Sequence, residues 1–402
     1  MNRIMRIHAT AAIGLTCACL LGNALLQAAF SYPAPPPWQP NPDQREHLRR
    51  SLALLATSTP ADRKTVRVLF YGQSITQQAW WKEVEHYLRA TYTNANLIVE
   101  NRAIGGHASQ LLVKTAEADL YPFQPDELWK AYLKAHTLKA ADLLRDGVHL
   151  NAQGEWLMAE LLKTYLAPLP PKAAYDPLNE PRVRTVALQP SAGQESLRLE
   201  FTGTRADLIF KPKSKAKETI SVLVDGKPPS AIPELYGFTR VSAFPMTDWP
   251  VLLRVEAASP LVVEDWSLKI DRASPDGKLC HFSVRGSATG EDGEGFSTNR
   301  FVSRSGRVVV EPADWNVAYS VAVFKRPVPE NYTATWRATL RGADTVEPPA
   351  ATPGTEACVT VAQGLPPGRH VLELRGAYLA EQIQAARFYC PSGNPGRAAG
   401  SQ

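Results

Sequence analysis

The stretch Val66-Arg67-Val68-Leu69-Phe70-Tyr71-Gly72-Gln73-Ser74-Ile75 decides how the chain is read. A short apolar run from Val66 to Tyr71, rich in β-branched residues and stopped by Gly72, predicts a buried parallel strand. Residues 77 to 90 then place Trp81, Val84 and Leu88 at helical spacing, with Glu83, Glu85 and Arg89 on the other side, which predicts an amphipathic helix. A strand that ends in glycine and delivers a serine to the mouth of a helix suits nucleophilic catalysis. The helix N-terminus favours negative charge developing beside Ser74, and the Ser74 N–H can donate to an oxyanion. The competing reading makes Ser74 only the cap of the helix that begins near Gln77.

Downstream the alternation of strand and helix continues. Leu97 to Glu100 predicts a second strand, and residues 109 to 118, 126 to 135 and 152 to 166 predict helices. The last has Asn151 as N-cap and Leu157, Leu161 and Tyr165 on one face. Just before it stands Asp146-Gly147-Val148-His149. A three-residue spacing across a flexible glycine lets carboxylate and imidazole meet on one loop. The carboxylate then orients the ring and stabilises the imidazolium, while the other ring nitrogen takes a proton from a serine. The competing reading is an Asp turn followed by a packed histidine.

These stretches resemble the conserved blocks of the SGNH (GDSL-type) hydrolases. Gly72-Gln73-Ser74-Ile75 is similar to the first block, with Gln73 where Asp is more usual, and Asp146-Gly147-Val148-His149-Leu150-Asn151 to the last. Asn101-Arg102-Ala103-Ile104-Gly105-Gly106-His107 resembles the second block, in which a glycine after the second strand donates its N–H to the oxyanion. The resemblance implies Ser74 as nucleophile, Asp146 and His149 as its partners, and the N–H groups of Ser74 and Gly106 as oxyanion donors, with Gly105 the alternative to Gly106. It implies a carboxylic ester hydrolase without cofactor or metal. The family's third block, Gly-x-Asn-Asp, does not occur, and no asparagine lies between Gly106 and Asp146.

The fold has the same gap. An α/β/α domain of flavodoxin-like type needs four or five parallel strands, each crossover unit taking roughly 30 residues. Asn101 to Arg145 is too short for them and holds no five-residue apolar strand. A segment carrying the third to fifth strands is therefore expected to be missing, with the junction near Pro125-Asp126-Glu127-Leu128. Two parallel strands alone would leave apolar surface uncovered unless a later part of the chain docks over them.

Around this truncated α/β domain, placed at residues 46–168, proline marks the boundaries. Pro33, Pro35, Pro36, Pro37, Pro40 and Pro42 make a tether over 29–45, and Pro168, Pro170, Pro171, Pro177 and Pro181 punctuate a linker over 169–182. From Val183 to residue 390 the texture becomes all-β and sandwich-like, in one or two modules. Short runs such as Ser196–Phe201, Ile220–Val224, Val251–Val255, Val262–Ile270, Arg307–Val310, Tyr319–Phe324 and His370–Leu374 alternate with the turns Asp225-Gly226, Asp276-Gly277 and Asp292-Gly293. Residues 391–402 read as a flexible tail.

Arg3 and Arg6, the apolar run Ala11–Leu26 and the small residues Ala28 and Ala29 read as a signal peptide over 1–28, hence a secreted or periplasmic protein with no membrane span after its removal. Subtracting Arg3 and Arg6 from the 44 basic residues leaves 42 against 39 acidic ones, a formal charge of +3. That is too weak and dispersed for a nucleic-acid partner. Cys280, Cys358 and Cys390 lack zinc-site spacing, and two of them could pair in an exported protein. The expected partner is an ester substrate, a small molecule or an acylated polysaccharide. The alternative is a non-catalytic glycan-binding protein in which Trp249, Trp266, Trp315 or Trp336 stacks on sugars and the α/β part is a remnant.

Overall fold

The computed structural model describes residues 32, 33, 35, 42–106, 132–146, 149–169, 175–180, 182–212, 218–245, 247–350 and 352–390. The signal peptide, the tail, His107, the helix at 109–118 and the junction Pro125–Leu128 lie outside them.

Among the described residues the parallel sheet has two strands, β1 (Thr65–Phe70) and β2 (Asn96–Asn101), in register from Thr65↔Asn96 to Phe70↔Asn101. Val66 and Leu97 are buried, with Val68 and Val99 packed beside them, under the helices Pro42–Ala56, Trp80–Thr91 and Ala152–Leu166. The first helix opens at Pro42, inside the Pro-rich stretch, as proline's fixed φ allows in a first turn. The second buries Trp80, Val84 and Leu88, a strict i, i+4 stripe that takes in Trp80 where the sequence pointed to Trp81. The third runs as the sequence predicts. The Asn151 side chain accepts from the Gly154 N–H at 3.0 Å, and Leu157, Leu161 and Tyr165 are buried.

The expectation of a fully buried first strand is corrected. Period-two alternation sends Thr65 and Arg67 to the face opposite Val66, where an arginine cannot be buried unpaired. With Asn96 and Ile98 they line a cavity of about 540 Å³, whose far wall carries Arg205, Asp207, Cys358 and Arg387.

After Val183 the chain is antiparallel β. A seven-stranded sheet takes the order β14-β6-β15-β5-β16-β4-β3, with β3 (Asn179–Glu180), β4 (Val183–Ala187), β5 (Ser196–Phe210), β6 (Ile220–Val224), β14 (Thr345–Val346), β15 (Cys358–Arg375) and β16 (Ile383–Tyr389). Between β6 and β14 a second unit is inserted with its own hydrophobic core. Its five-stranded sheet runs β10-β9-β8-β13-β7, built from β7 (Tyr236–Phe238), β8 (Glu264–Ala273), β9 (Cys280–Gly286), β10 (Gly290–Phe296) and β13 (Tyr332–Leu340). Asp225 and Gly226 both take positive φ in the tight turn that closes Val224 onto Lys227.

Three strand expectations in the inserted unit need correction. Tyr319–Phe324 is the end of a helix, Val317–Phe324, whose Val317 and Val321 face the core. Val251–Val255 forms only an isolated bridge, Leu252 to Trp315, and of Arg307–Val310 only β12 (Val309–Val310) pairs as a strand, with β11 (Phe301–Val302). Among the described residues Cys280, Cys358 and Cys390 are free thiols, so the pairing of two of them contemplated from export does not occur in this structure.

Candidate active site

Ser74 opens a single helical turn, Ser74–Gln77, that breaks at Gln78 and Ala79 before the helix Trp80–Thr91 begins. The N-cap residues are Gln73 and Ala79, neither with a side-chain capping bond, so Ser74 is not a cap. One turn pairs only its last N–H, that of Gln77 with Gln73 O at 3.1 Å, so its first N–H groups find no partner within the helix, and it sums few peptide dipoles. The stabilisation expected from a long helix end therefore reduces to local donors, the Ser74 N–H among them. Gly72 permits the turn by its lack of a side chain, since a Cβ there would meet Thr76 Oγ1 at 2.4 Å.

The parallel ladder carries the second block alongside. Past the last register pair, the Arg102 N–H donates to Phe70 O and the Ile104 N–H to Gly72 O, both at 2.9 Å. Asn101 fixes the bend twice, donating from Nδ2 to Thr76 O at 2.8 Å and accepting at Oδ1 from the Ala103 N–H at 2.9 Å. Gly105 consequently abuts the Ser74 turn: a Cβ on it would lie 3.6 Å from Ser74 Cβ and 2.5 Å from Gln77 Oε1. Gly106 follows with φ +78°, a conformation glycine enters without steric cost.

Asp146 and His149 meet. His149 Nδ1 lies 2.9 Å from Asp146 Oδ2 and 3.1 Å from Oδ1, and the His149 N–H donates to Oδ1 at 2.7 Å. A carboxylate only accepts, so the proton sits on Nδ1 and a neutral ring keeps Nε2 bare for a hydroxyl. The pair is open to solvent, with the side chains of Asp146 and His149 52% and 30% exposed and the Arg145 guanidinium 3.9 Å from Asp146. Among the described residues no hydrogen bond joins Ser74 to His149.

Gln78 ties the two halves together. Its Nε2 donates to Leu150 O at 2.8 Å and to Glu155 Oε1 at 3.0 Å, while its Oε1 accepts from the Leu150 N–H at 3.1 Å. The Ser74 turn is thereby bound to the residue that follows His149.

The inserted β unit forms a wall of the site. Gln77 Nε2 donates to Asp248 Oδ2 at 2.7 Å, and Arg240 donates to Arg102 O at 3.0 Å with its guanidinium 5.9 Å from the Tyr71 ring centroid. Burial there pushes the Arg240 pKa below its usual value. Trp249 packs on the Gly105-Gly106 turn. Trp249, Trp266 and Trp336 are all buried and offer no open face for stacking on sugar, while Trp315 is partly buried and packs on Phe282. Gln78 and Asp248 carried no sequence signal, and Trp249 stood out only as a sugar-stacking candidate, because their partners here lie 72, 171 and 144 positions away. Among the described residues no group of three or more His, Cys, Asp or Glu side chains is arranged to hold a metal.

No protein-family model matches the chain, and no curated protein matches it. Among solved structures it is similar to the crystal structure of a two-domain esterase active on acetylated mannans, co-crystallised with mannopentaose. That similarity has 11% identity and a TM-score of 0.23 over 86% of this chain and 96% of the other. A superposition that loose fixes neither fold nor activity.

Proposed function

We propose that the protein is an exported carboxylic ester hydrolase of SGNH type that removes acyl groups from a carbohydrate. The observation that carries this reading is the convergence on Ser74. Gly105 lies against it, and Gln78 links its turn to the segment where Asp146 holds His149 by Nδ1. Ser74 Oγ attacks the ester carbonyl while His149 Nε2 takes its proton. The N–H groups of Ser74 and Gly106 hold the oxyanion, and the alcohol leaves with the proton from His149. Water, activated by the same ring, then releases the acid and restores Ser74. Purified protein should hydrolyse p-nitrophenyl acetate, and Ser74→Ala should abolish that activity. Equal rates from the two proteins contradict the proposal.

A second reading has its own support: the solvent exposure of Asp146 and the lack of an asparagine between Gly106 and Asp146 suit a non-catalytic remnant attached to a glycan-binding β region. Binding of glycans by a Ser74→Ala protein, together with no Ser74-dependent hydrolysis by the unmodified one, would favour it.

A further inference from the structure

We propose that Trp249, supplied by the inserted β unit, is a positioning residue that aims the Gly106 N–H at the oxyanion; the inference rests on the hydrolase reading above. Trp249 is only 5% exposed. It sits in a closed loop whose shape is set locally: the Phe244 N–H donates to Trp249 O at 2.6 Å and the Trp249 N–H to Thr247 Oγ1 at 3.1 Å. From there the indole Nε1 donates to Gly105 O at 2.5 Å. The indole edge occupies the place a side chain at Gly106 would take, with Cζ2 2.3 Å from that Cβ position. Tyr319 stacks on the indole at 4.8 Å and 14°, and its hydroxyl reaches Gly106 O at 3.4 Å. Phe324 meets the indole edge-on at 4.8 Å.

The consequence follows from peptide geometry. The Gly105 carbonyl and the Gly106 N–H belong to one planar trans peptide, so they point in opposite directions. An indole that captures the carbonyl turns the N–H away from the inserted unit. Glycine at both positions leaves that peptide free to flip, and at Gly106 the φ of +78° lies in the region glycine enters most readily. A bond to the carbonyl from a buried indole, held by Tyr319 on its face and Phe324 at its edge, both partly open to solvent, selects one of the two orientations. Selection matters more here than in a site with three donors, because the chain between Gly106 and Asp146 supplies no asparagine to share the oxyanion.

The test uses the full-length protein and Trp249→Phe, which keeps an aromatic ring and removes the N–H. Two readouts are taken: hydrogen–deuterium exchange of the peptide containing Gly105 and Gly106, and kcat and KM on p-nitrophenyl acetate beside Ser74→Ala. Exchange should quicken in that peptide and not in β8 or β15. kcat should fall about tenfold with KM within about twofold, less than the 10²–10³ that follows removal of an oxyanion donor outright. A purely structural role would lower thermal stability without this split between kcat and KM. Unchanged exchange overturns the clamp whatever the activity. Faster exchange with unchanged kcat, in a protein whose Ser74→Ala form is inactive, overturns the positioning role. Faster exchange with no Ser74-dependent hydrolysis in the unmodified protein overturns the hydrolase reading and the positioning role with it.

Discussion

Gln78 shows what a single side chain contributes to this site. Its amide uses both ends across the gap to Leu150 and Glu155, so replacing it leaves the Leu150 N–H and carbonyl to water and frees the loop that holds His149. Gln78→Ala is expected to lower kcat/KM for p-nitrophenyl acetate about 10- to 100-fold, the order seen when a catalytic group is misplaced by about 1 Å. An unchanged kcat/KM would show that the dyad holds its place without the strap. A separate residue pair governs acid stability. His370 Nδ1 lies 2.7 Å from Asp225 Oδ2, and the Val371 N–H donates to Asp225 Oδ1 at 2.8 Å. Burial pushes the Asp225 pKa up, but the bonds from His370 and Val371 outweigh it, and the carboxyl lies below its usual value. A depressed folded pKa means stability that is fully present above the unfolded pKa of about 3.9 and lost as pH falls through the folded one. Melting temperature should therefore drop less between pH 5 and pH 3 in Asp225→Asn than in the unmodified protein, and parallel declines would count against the linkage. Ser74, Asp146 and His149 could be picked out as candidates because each stands in a short stretch with its own local pattern. Gln78 and Trp249 act through partners far along the chain, and a sequence read by periodicity has no register for such bonds.

Local rules govern some elements and tertiary packing the rest. The helix Ala152–Leu166 was legible to its ends because Asn151 caps it and its apolar residues recur at i, i+4. The helix Val317–Phe324 was not. Its β-branched and aromatic residues favour a strand by propensity, but Val317 and Val321 dock on the inserted core and the Ser320 hydroxyl bonds back to Asn316 O at 2.9 Å. Strand β15 runs through Pro366 and Pro367, a sequence that argues against a central strand, because its pairing with β5 slips between Gln363 and Gly368 and excuses the missing donors. Gly154 gives a test at this scale. Replacing a helix glycine by alanine gains about 1 kcal/mol by propensity. Here the new Cβ would meet the Leu143 backbone carbonyl at 2.3 Å, and overpacking against backbone costs about 1–3 kcal/mol. The clash should win, so Gly154→Ala should melt lower than the unmodified protein; a higher melting temperature would contradict the packing described.

Polar contacts join the three units of the molecule. Arg240 and Gln77–Asp248 tie the α/β part to the inserted unit, and Arg50 reaches Glu180 at 3.8 Å beside the seven-stranded sheet. The face of the parallel pair that carries Thr65 and Arg67 opens onto the cavity shared with that sheet, with Arg50, Ser51 and Leu54 of the first helix at its side. Arg387 anchors the far wall. It is buried, yet the bonds it donates to the Glu356 carboxylate at 2.7 and 2.8 Å outweigh desolvation and keep its pKa above the usual value. Glu356→Gln should cost roughly 2–3 kcal/mol in chemical denaturation, below the full value for a buried pair because Glu356 keeps solvent contact. A loss under about 0.5 kcal/mol would place the pair with surface bridges. The account of the whole turns on whether this assembly makes Ser74 a nucleophile. Reaction with a fluorophosphonate, followed by peptide mapping, asks that directly. A single covalent adduct on Ser74 is expected, absent in Ser74→Ala and formed far more slowly in His149→Ala; no adduct, or one on another residue, would contradict the hydrolase reading.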